Sequence, residues 1–305
     1  MIERPKLTIL GSSSATPTAS KFPTAQVLDM RGRLFLIDCG EGTQVQMRRF
    51  SVPFQKISRI FISHLHGDHF FGLPGLLSSF HLMNRQTELH LHAPEALWPL
   101  LKSIFAAQGT YLVYPLIFHP ISFEQEGIIF EDEQLTVHSI FMKHSIACSG
   151  FVFREKELPR KLIPDRITEF QIPWYDCERI KRGEDFTLAD GTVISNDKLT
   201  KTNRPAASYA FFSDTIFQPH LAEKVKDVSL MYHEATFMEE DADLAIKTNH
   251  STTMQAAEMA KISDAKKLLI GHFSARYREE ELILAEAREL FPNTDIATEG
   301  LELEF

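Results

Sequence analysis

The chain has 305 residues, with 32 Lys and Arg against 41 Asp and Glu, a formal net charge of −9. An apolar share of 44% and a charged share of 24% exclude a disordered or fibrous chain, and the acidic balance excludes a surface coated throughout in nucleic-acid-binding cations. No run approaches the ~18 apolar residues of a spanning helix, the start lacks a secretory-signal core, and three scattered cysteines without a C-x-x-C pair fit a reducing cytoplasm.

Short β-branched and apolar runs predict strands over 7–11, 25–30 and 34–39, the last two joined by the turn-prone Arg31-Gly-Arg. A helix follows over 44–50 and a strand over 57–63. Next come a helix over 72–82, with Pro74 in its first turn, a strand over 89–92 and a helix over 96–108. Strands are predicted over 117–123, 128–130 and 135–142. From Arg154 to Gly191 the periodicity fades around Pro159, Pro164 and Pro173. Strands resume over 209–212, 228–231 and 268–270, with helices over 253–262 and 279–290. Strands first, then strands alternating with helices, predict one α/β domain over 1–305 with a segment inserted at about 154–191.

The densest chemical signal is His64-Leu65-His66-Gly67-Asp68-His69, directly after the strand Ile60-Phe61-Ile62-Ser63. Imidazole and carboxylate suit zinc, and mixed N/O sets also suit manganese or iron. In extended backbone His64 and His66 point the same way and reach one ion. Gly67 permits a sharp turn, after which Asp68 and His69 face a second ion. The similar-looking His90-Leu91-His92 lies inside a strand and reads as one strand face. Further ligands are expected where strands end. Three strands end in a ligand-type residue: His144, Asp214 and His272. His64, His66 and His144 then hold one ion, Asp68, His69 and His272 the other, and Asp214 bridges them. Two ions ~3.5–4 Å apart hold a shared water and lower its pKa toward ~7, which describes hydrolysis by a metal-held hydroxide.

His64-Leu-His-Gly-Asp-His69 after a strand resembles the metallo-β-lactamase superfamily, and a histidine at position 66 favours a hydrolase. Gly40-Glu-Gly-Thr-Gln44, Gly72-Leu-Pro-Gly-Leu76, His233-Glu-Ala-Thr-Phe237, His250-Ser-Thr252 and His272-Phe-Ser-Ala-Arg-Tyr277, in this order along nearly the whole chain, resemble ribonuclease Z. The resemblance implies an αββα sandwich, two zinc ions per subunit (manganese or another divalent ion being admissible in one site), a homodimer and precursor tRNA as partner, with no membrane. It implies endonucleolytic removal of the 3′ trailer, which leaves a tRNA 3′-hydroxyl, with Asp68 as the proton acceptor that orients or activates the water. It also makes His250 the proton donor to the leaving oxygen, a task that suits an imidazole of pKa ~6.5. Glu234 orients it; on the residues alone, His250 also reads as a surface helix cap and His233-Glu234 as support behind the ligands.

From Arg154 to Arg182 there are eight basic and six acidic residues, a balance of +2. The segment reads either as a solvated insertion or as a tRNA-gripping arm, since cations on phosphates supply sequence-independent affinity. It departs from the family pattern in having Ile172-Pro-Trp-Tyr-Asp-Cys177 where a Gly-Pro-rich stretch is expected. Trp174 and Tyr175 read as packing residues, with stacking on RNA as the alternative. The competing functions are a small phosphodiester or sulfate ester hydrolase of the same superfamily, which needs no arm, and a non-catalytic RNA-binding scaffold, which needs no intact ligands.

Overall fold

The computed structural model describes residues 3–305. The strands of the first half are β1 (Lys6–Gly11), β2 (Ala25–Met30), β3 (Arg33–Ile37), β4 (Ile57–Phe61), β5 (Leu89–Pro94) and β6 (Leu116–Ile121). Helices α1 (Thr43–Arg49), α2 (Gly67–Phe70), α3 (Leu73–Leu82) and α4 (Leu97–Ala107) lie between them. There follow β7 (Gly127–Glu131), β8 (Leu135–Lys143) and β9 (Ala147–Glu155).

The chain then enters a segment with β10 (Lys161–Leu162), α5 (Pro164–Glu169), α6 (Cys177–Lys181), β11 (Phe186–Thr187), β12 (Val193–Ile194), α7 (Asn196–Leu199) and β13 (Thr200–Lys201). It returns through β14 (Ser208–Phe212), β15 (Leu230–Glu234), α8 (Ala242–Thr248), α9 (Thr253–Ile262), β16 (Leu268–Gly271), α10 (Glu280–Leu290), β17 (Thr294–Ile296) and β18 (Glu302–Glu304).

Contacts divide the chain into two compact units, one of residues up to Arg154 plus Ala207–Phe305, the other Glu155–Ala206. In the larger unit, one seven-stranded sheet has the order β18-β1-β2-β3-β4-β5-β6 and a second has β17-β16-β15-β14-β9-β8-β7. Their facing sides form an aromatic seam. Phe61 meets Phe151 and Phe153 at 5.5 and 5.4 Å between ring centres, and Phe211 stacks on Tyr232 at 5.2 Å. Each such fully buried ring contributes about 1.5–3 kcal/mol of transfer free energy. The outer faces are covered separately. Leu73, Leu77, Phe80 and Leu101 of α3 and α4 cover the first sheet. Ala256, Ala260, Ile283 and Ala287 of α9 and α10 cover the second. Helix, sheet, sheet, helix is the predicted αββα sandwich.

The smaller unit closes on its own core of Ile172, Ile180, Ile194 and Leu199. It ends at Ala206 rather than near 191, because β13 pairs with β10 through Lys161↔Lys201 and Leu162↔Thr200. These two-residue strands are too short to give a periodic signal. Other differences are local. Strand β9 has no counterpart among the predicted elements, and β15 runs on to include His233 and Glu234. The sharp turn expected at Gly67 is a helical one over Gly67–Phe70, entered from extended backbone at His66.

Candidate metal centre and active site

Every ligand-type residue predicted from a strand end sits at the C-terminal edge of its strand, and both sheets contribute. The first sheet supplies the run 64–69 after β4. The second supplies His144 after β8, Asp214 after β14 and His272 after β16. The sheets are tied together there: the Ser149 N–H donates to the Ser63 carbonyl at 3.0 Å, and the His272 N–H to the Ser12 carbonyl at 2.7 Å. The α2 turn is held by the loop after β3. The Cys39 N–H donates to the His69 carbonyl at 2.8 Å and the Gly72 N–H to the Cys39 carbonyl at 2.9 Å. This approach requires Gly72, since a Cβ there would lie 2.1 Å from the Gly40 carbonyl oxygen.

Two donor sets result. In one, His66 Nδ1 lies 3.1 Å from His64 Nε2 and 3.2 Å from His144 Nε2, with Asp214 Oδ2 at 3.7 and 3.8 Å from those two Nε2 atoms. In the other, Asp68 Oδ2 lies 3.5 Å from His69 Nε2 and 3.6 Å from His272 Nε2. Asp214 Oδ1 lies 3.4 and 3.3 Å from the same two nitrogens. A tetrahedral zinc with ligand bonds of 2.0–2.1 Å separates its ligands by about 3.3–3.4 Å. The two oxygens of Asp214 thus face different sets.

The surroundings fit cations. His69 Nε2 and His272 Nε2 are buried without a hydrogen-bond partner, and an orphaned ring nitrogen facing carboxylates is costly unless it binds something. Asp38, Asp214 and Glu234 are buried, and among the described residues none is paired with a lysine or arginine. Burial favours protonation of Asp68, but the His272 and His69 imidazoles outweigh it and hold the carboxyl well below its usual range.

The opposite ring nitrogens fix the tautomers. His69 Nδ1–H donates to Asp38 Oδ2 at 2.7 Å, and Asp38 also accepts from the Ser63 N–H and O–H, both at 2.8 Å. His144 Nδ1–H donates to the Asn249 carbonyl at 2.8 Å, and His272 Nδ1–H to Thr236 Oγ1 at 2.9 Å. Each leaves the Nε2 lone pair for an ion. Asp38 and His272 hold φ of 56° and 63°, a left-handed backbone that costs about 1–3 kcal/mol for a non-glycine residue and here aims both side chains inward. The sequence reading did not nominate Asp38, Ser63, Thr236 or Asn249. Asp38 has the strand-end signal that marked Asp214.

Glu234 is fully enclosed and lies outside both donor sets. Its Oε1 accepts from the Thr215 N–H, the Ser251 N–H and His250 Nδ1–H at 3.0, 3.1 and 2.9 Å; its Oε2 accepts from the Thr236 N–H and O–H at 3.0 and 2.7 Å. Burial opposes a charge on His250, but the Glu234 carboxylate outweighs it and lifts the imidazole to about 9. Thr252 caps α9 in a reciprocal box with Gln255, which anchors the backbone just after His250. His250 also reaches within ligand distance of Asp214 and His272, a proximity the sequence did not reveal.

The remaining histidines stand apart. His233 stacks on Phe212 at 4.9 Å and donates to the Glu234 carbonyl. His92 stacks between Phe61 at 4.7 Å and His119 at 4.4 Å, and accepts from Arg59 at 3.3 Å. Burial, then His119 and Arg59, push its pKa down to about 2. The centre opens into a cleft of about 670 Å³ edged by Ser14, Glu41, Phe71, Phe237 and Ser274. The clustered His and Asp side chains could hold metal, and the His250 imidazole, its pKa raised by Glu234, lines the same cleft.

Comparison with known proteins gives a consistent picture. A family model described as anti-Pycsar protein Apyc1 matches residues 5–156, a stretch that ends before Asp214, His250 and His272. A ribonuclease Z of Bacteroides fragilis (strain YCH46) is 45% identical over 300 residues, 98% of this chain and 99% of the relative. A ribonuclease Z of Porphyromonas gingivalis (strain W83) is 41% identical over 296 residues, 97% of each. Among solved structures, the short form of human tRNase Z superposes with a TM-score of 0.72 at 24% identity, over 98% of each chain. The metallo-β-lactamase fold protein YhfI of Bacillus subtilis superposes with 0.69 at 17% identity, over 99% of this chain and 100% of the other.

Proposed function

The chain belongs to the ribonuclease Z family, and from that premise we propose that it is a metal-dependent endoribonuclease that removes the 3′ trailer from precursor tRNA. The observation that carries the reading is the pair of donor sets sharing Asp214, with His250 beside them. His64, His66 and His144 hold one ion and Asp68, His69 and His272 the other. Zinc suits both sets, and manganese is admissible in one. Bound there, the ions neutralise charge on the scissile phosphate and make water acidic enough to attack it at neutral pH.

The protein's own groups do the rest. Asp68 turns Oδ2 toward the two imidazoles and the Ala15 N–H at 2.8 Å, which leaves Oδ1 to orient the attacking water. Water gives one proton to Asp68 Oδ1 and its oxygen bonds to phosphorus as the bond from phosphorus to the tRNA 3′-oxygen breaks. Protonated His250, held by Glu234, gives its proton to that oxygen, so the tRNA leaves with a 3′-hydroxyl and the trailer with a 5′-phosphate.

A homodimer is part of this reading. Val45 of α1 with Leu82 and Met83 at the end of α3 are exposed apolar side chains that a second copy would cover. A cytoplasmic setting agrees with three unpaired cysteines and with the absence, among the described residues, of a helix long and apolar enough to cross a membrane. The test is incubation of purified protein with a trailer-bearing precursor tRNA and, separately, bis(p-nitrophenyl) phosphate, with product ends mapped. Cleavage of only the small ester would replace this reading with that of a small-molecule phosphodiesterase.

A further inference from the structure

Resting on the tRNA-processing reading, we infer that the Glu155–Ala206 unit grips unpaired bases of the precursor tRNA by stacking on Trp174 and Tyr175, not by charge. The unit has ten basic and ten acidic residues, so the +2 of the shorter 154–182 stretch disappears. Six of the ten cations pair with carboxylates of the same unit, among them Arg160 with Asp197, Arg166 with Glu169, and Arg179 with Glu184. Such a surface releases few counterions from a phosphate backbone.

The two largest aromatic side chains of the unit are turned out. Trp174 is 85% exposed and Tyr175 64%, edge to face at 6.1 Å between ring centres. This corrects the packing role that the sequence suggests for them. Their backbone is fixed. Ile172 is buried in the unit's core, the Pro173 ring fixes its own φ at −64°, and a single 3₁₀ turn over Trp174–Asp176 leads into α6. Exposed rings on a fixed turn lose little entropy on binding.

Pro173 also lines a groove of about 530 Å³ walled by Phe170, Phe186 and Leu188, with Glu169 and Asp190 at its rim. Carboxylates repel phosphate but accept from the amino edges of bases. Apolar walls and acidic acceptors match a nucleobase, and Pro173 joins the groove in sequence to the two exposed rings.

The test uses the full chain and the same precursor tRNA. The Trp174→Ala/Tyr175→Ala double variant should raise Kd and KM about 10- to 100-fold, the range of one or two stacked bases. Its kcat and its hydrolysis of bis(p-nitrophenyl) phosphate should stay within twofold. Trp174→Phe should recover most of the affinity. The fold loss should be the same at 50 and 300 mM KCl, and Arg166→Gln/Arg182→Gln should change Kd less than threefold. Quenching of tryptophan fluorescence by precursor tRNA should vanish in Trp174→Phe. Normal affinity in the double variant, or a loss that follows the arginine substitutions, overturns the inference. Altered self-association with unchanged tRNA affinity assigns the rings to a second copy and also overturns it. If the wild type cuts no precursor tRNA, the tRNA-processing reading itself fails; wild-type cutting with a normal double variant defeats only this inference.

Discussion

Asp38→Asn tests whether His69 is kept in its metal-binding tautomer from behind. In the wild type all three partners of Asp38 are donors: the Ser63 N–H, the Ser63 O–H and His69 Nδ1–H, at 2.8, 2.8 and 2.7 Å. Asparagine keeps the shape and tolerates the φ of 56°, but supplies one acceptor instead of two. The backbone N–H of Ser63 cannot reverse, so the amide oxygen stays there and the NH₂ faces His69. Nδ1 must then accept, the ring proton moves to Nε2, and the ring loses the lone pair aimed between Asp68 and Asp214. Loss of such an outer partner lowers metal affinity ~10- to 100-fold, about 1.4–2.8 kcal/mol. The loss should fall mainly on one ion, because His66 and His144 make no hydrogen bond to Asp38 and His64 meets it only through the Ser63 hydroxyl, 3.0 Å from His64 Nδ1. Zinc titration against a competing chelator, with far-UV circular dichroism as the folding control, should resolve one site near wild-type affinity and one weakened. Two sites of unchanged affinity, or two weakened equally, would refute the reasoning.

His250→Ala should retain both ions by elemental analysis yet slow single-turnover cleavage of precursor tRNA ~10²- to 10⁴-fold, the range of general acid catalysis; an unchanged rate would return His250 to a structural role. Replacing Glu155–Ala206 by a short Gly-Ser turn should leave bis(p-nitrophenyl) phosphate hydrolysis intact and remove most precursor tRNA binding. The junction is feasible because Arg154 and Ser208 are paired across β9 and β14; loss of both activities in a folded variant would count against it. His92 is neutral when folded, with a pKa near 2 against about 6.5 unfolded. Between those values the unfolded chain binds the extra proton, so stability is full above pH 6.5 and falls as pH drops. Urea unfolding of His92→Phe should therefore lose about 2 kcal/mol less than wild type on going from pH 7.5 to pH 5, and parallel losses would refute the assignment.

The residues proposed as metal ligands could be nominated because four of them lie within six residues and the others each close a strongly apolar strand, and the structure brings their donor atoms together. The groups behind them were not legible. Thr236 meets a histidine 36 residues away and Asn249 one 105 residues away, contacts that exist only once the second sheet is assembled. Alternating strands and helices pointed to one α/β domain, and the αββα layering came from the family resemblance; β9 was missed and the inserted unit's far boundary was misplaced. Charge counted along the sequence also misled, since a +2 stretch folds with later carboxylates, such as Asp197 and Glu184, that neutralise it.

The split origin of the ligands bears on how strongly an ion can reward folding. Four of the seven proposed donors sit together between His64 and His69 and stay neighbours in the denatured chain, where they would form a loose chelate. The other three arrive only when the second sheet docks. Stabilisation by an ion depends on the difference between native and denatured affinities, not on the native value alone. The thermal shift on adding zinc should therefore be smaller than the native affinity implies, and the share contributed by His144, Asp214 and His272 measures how far the ions clasp one sheet to the other.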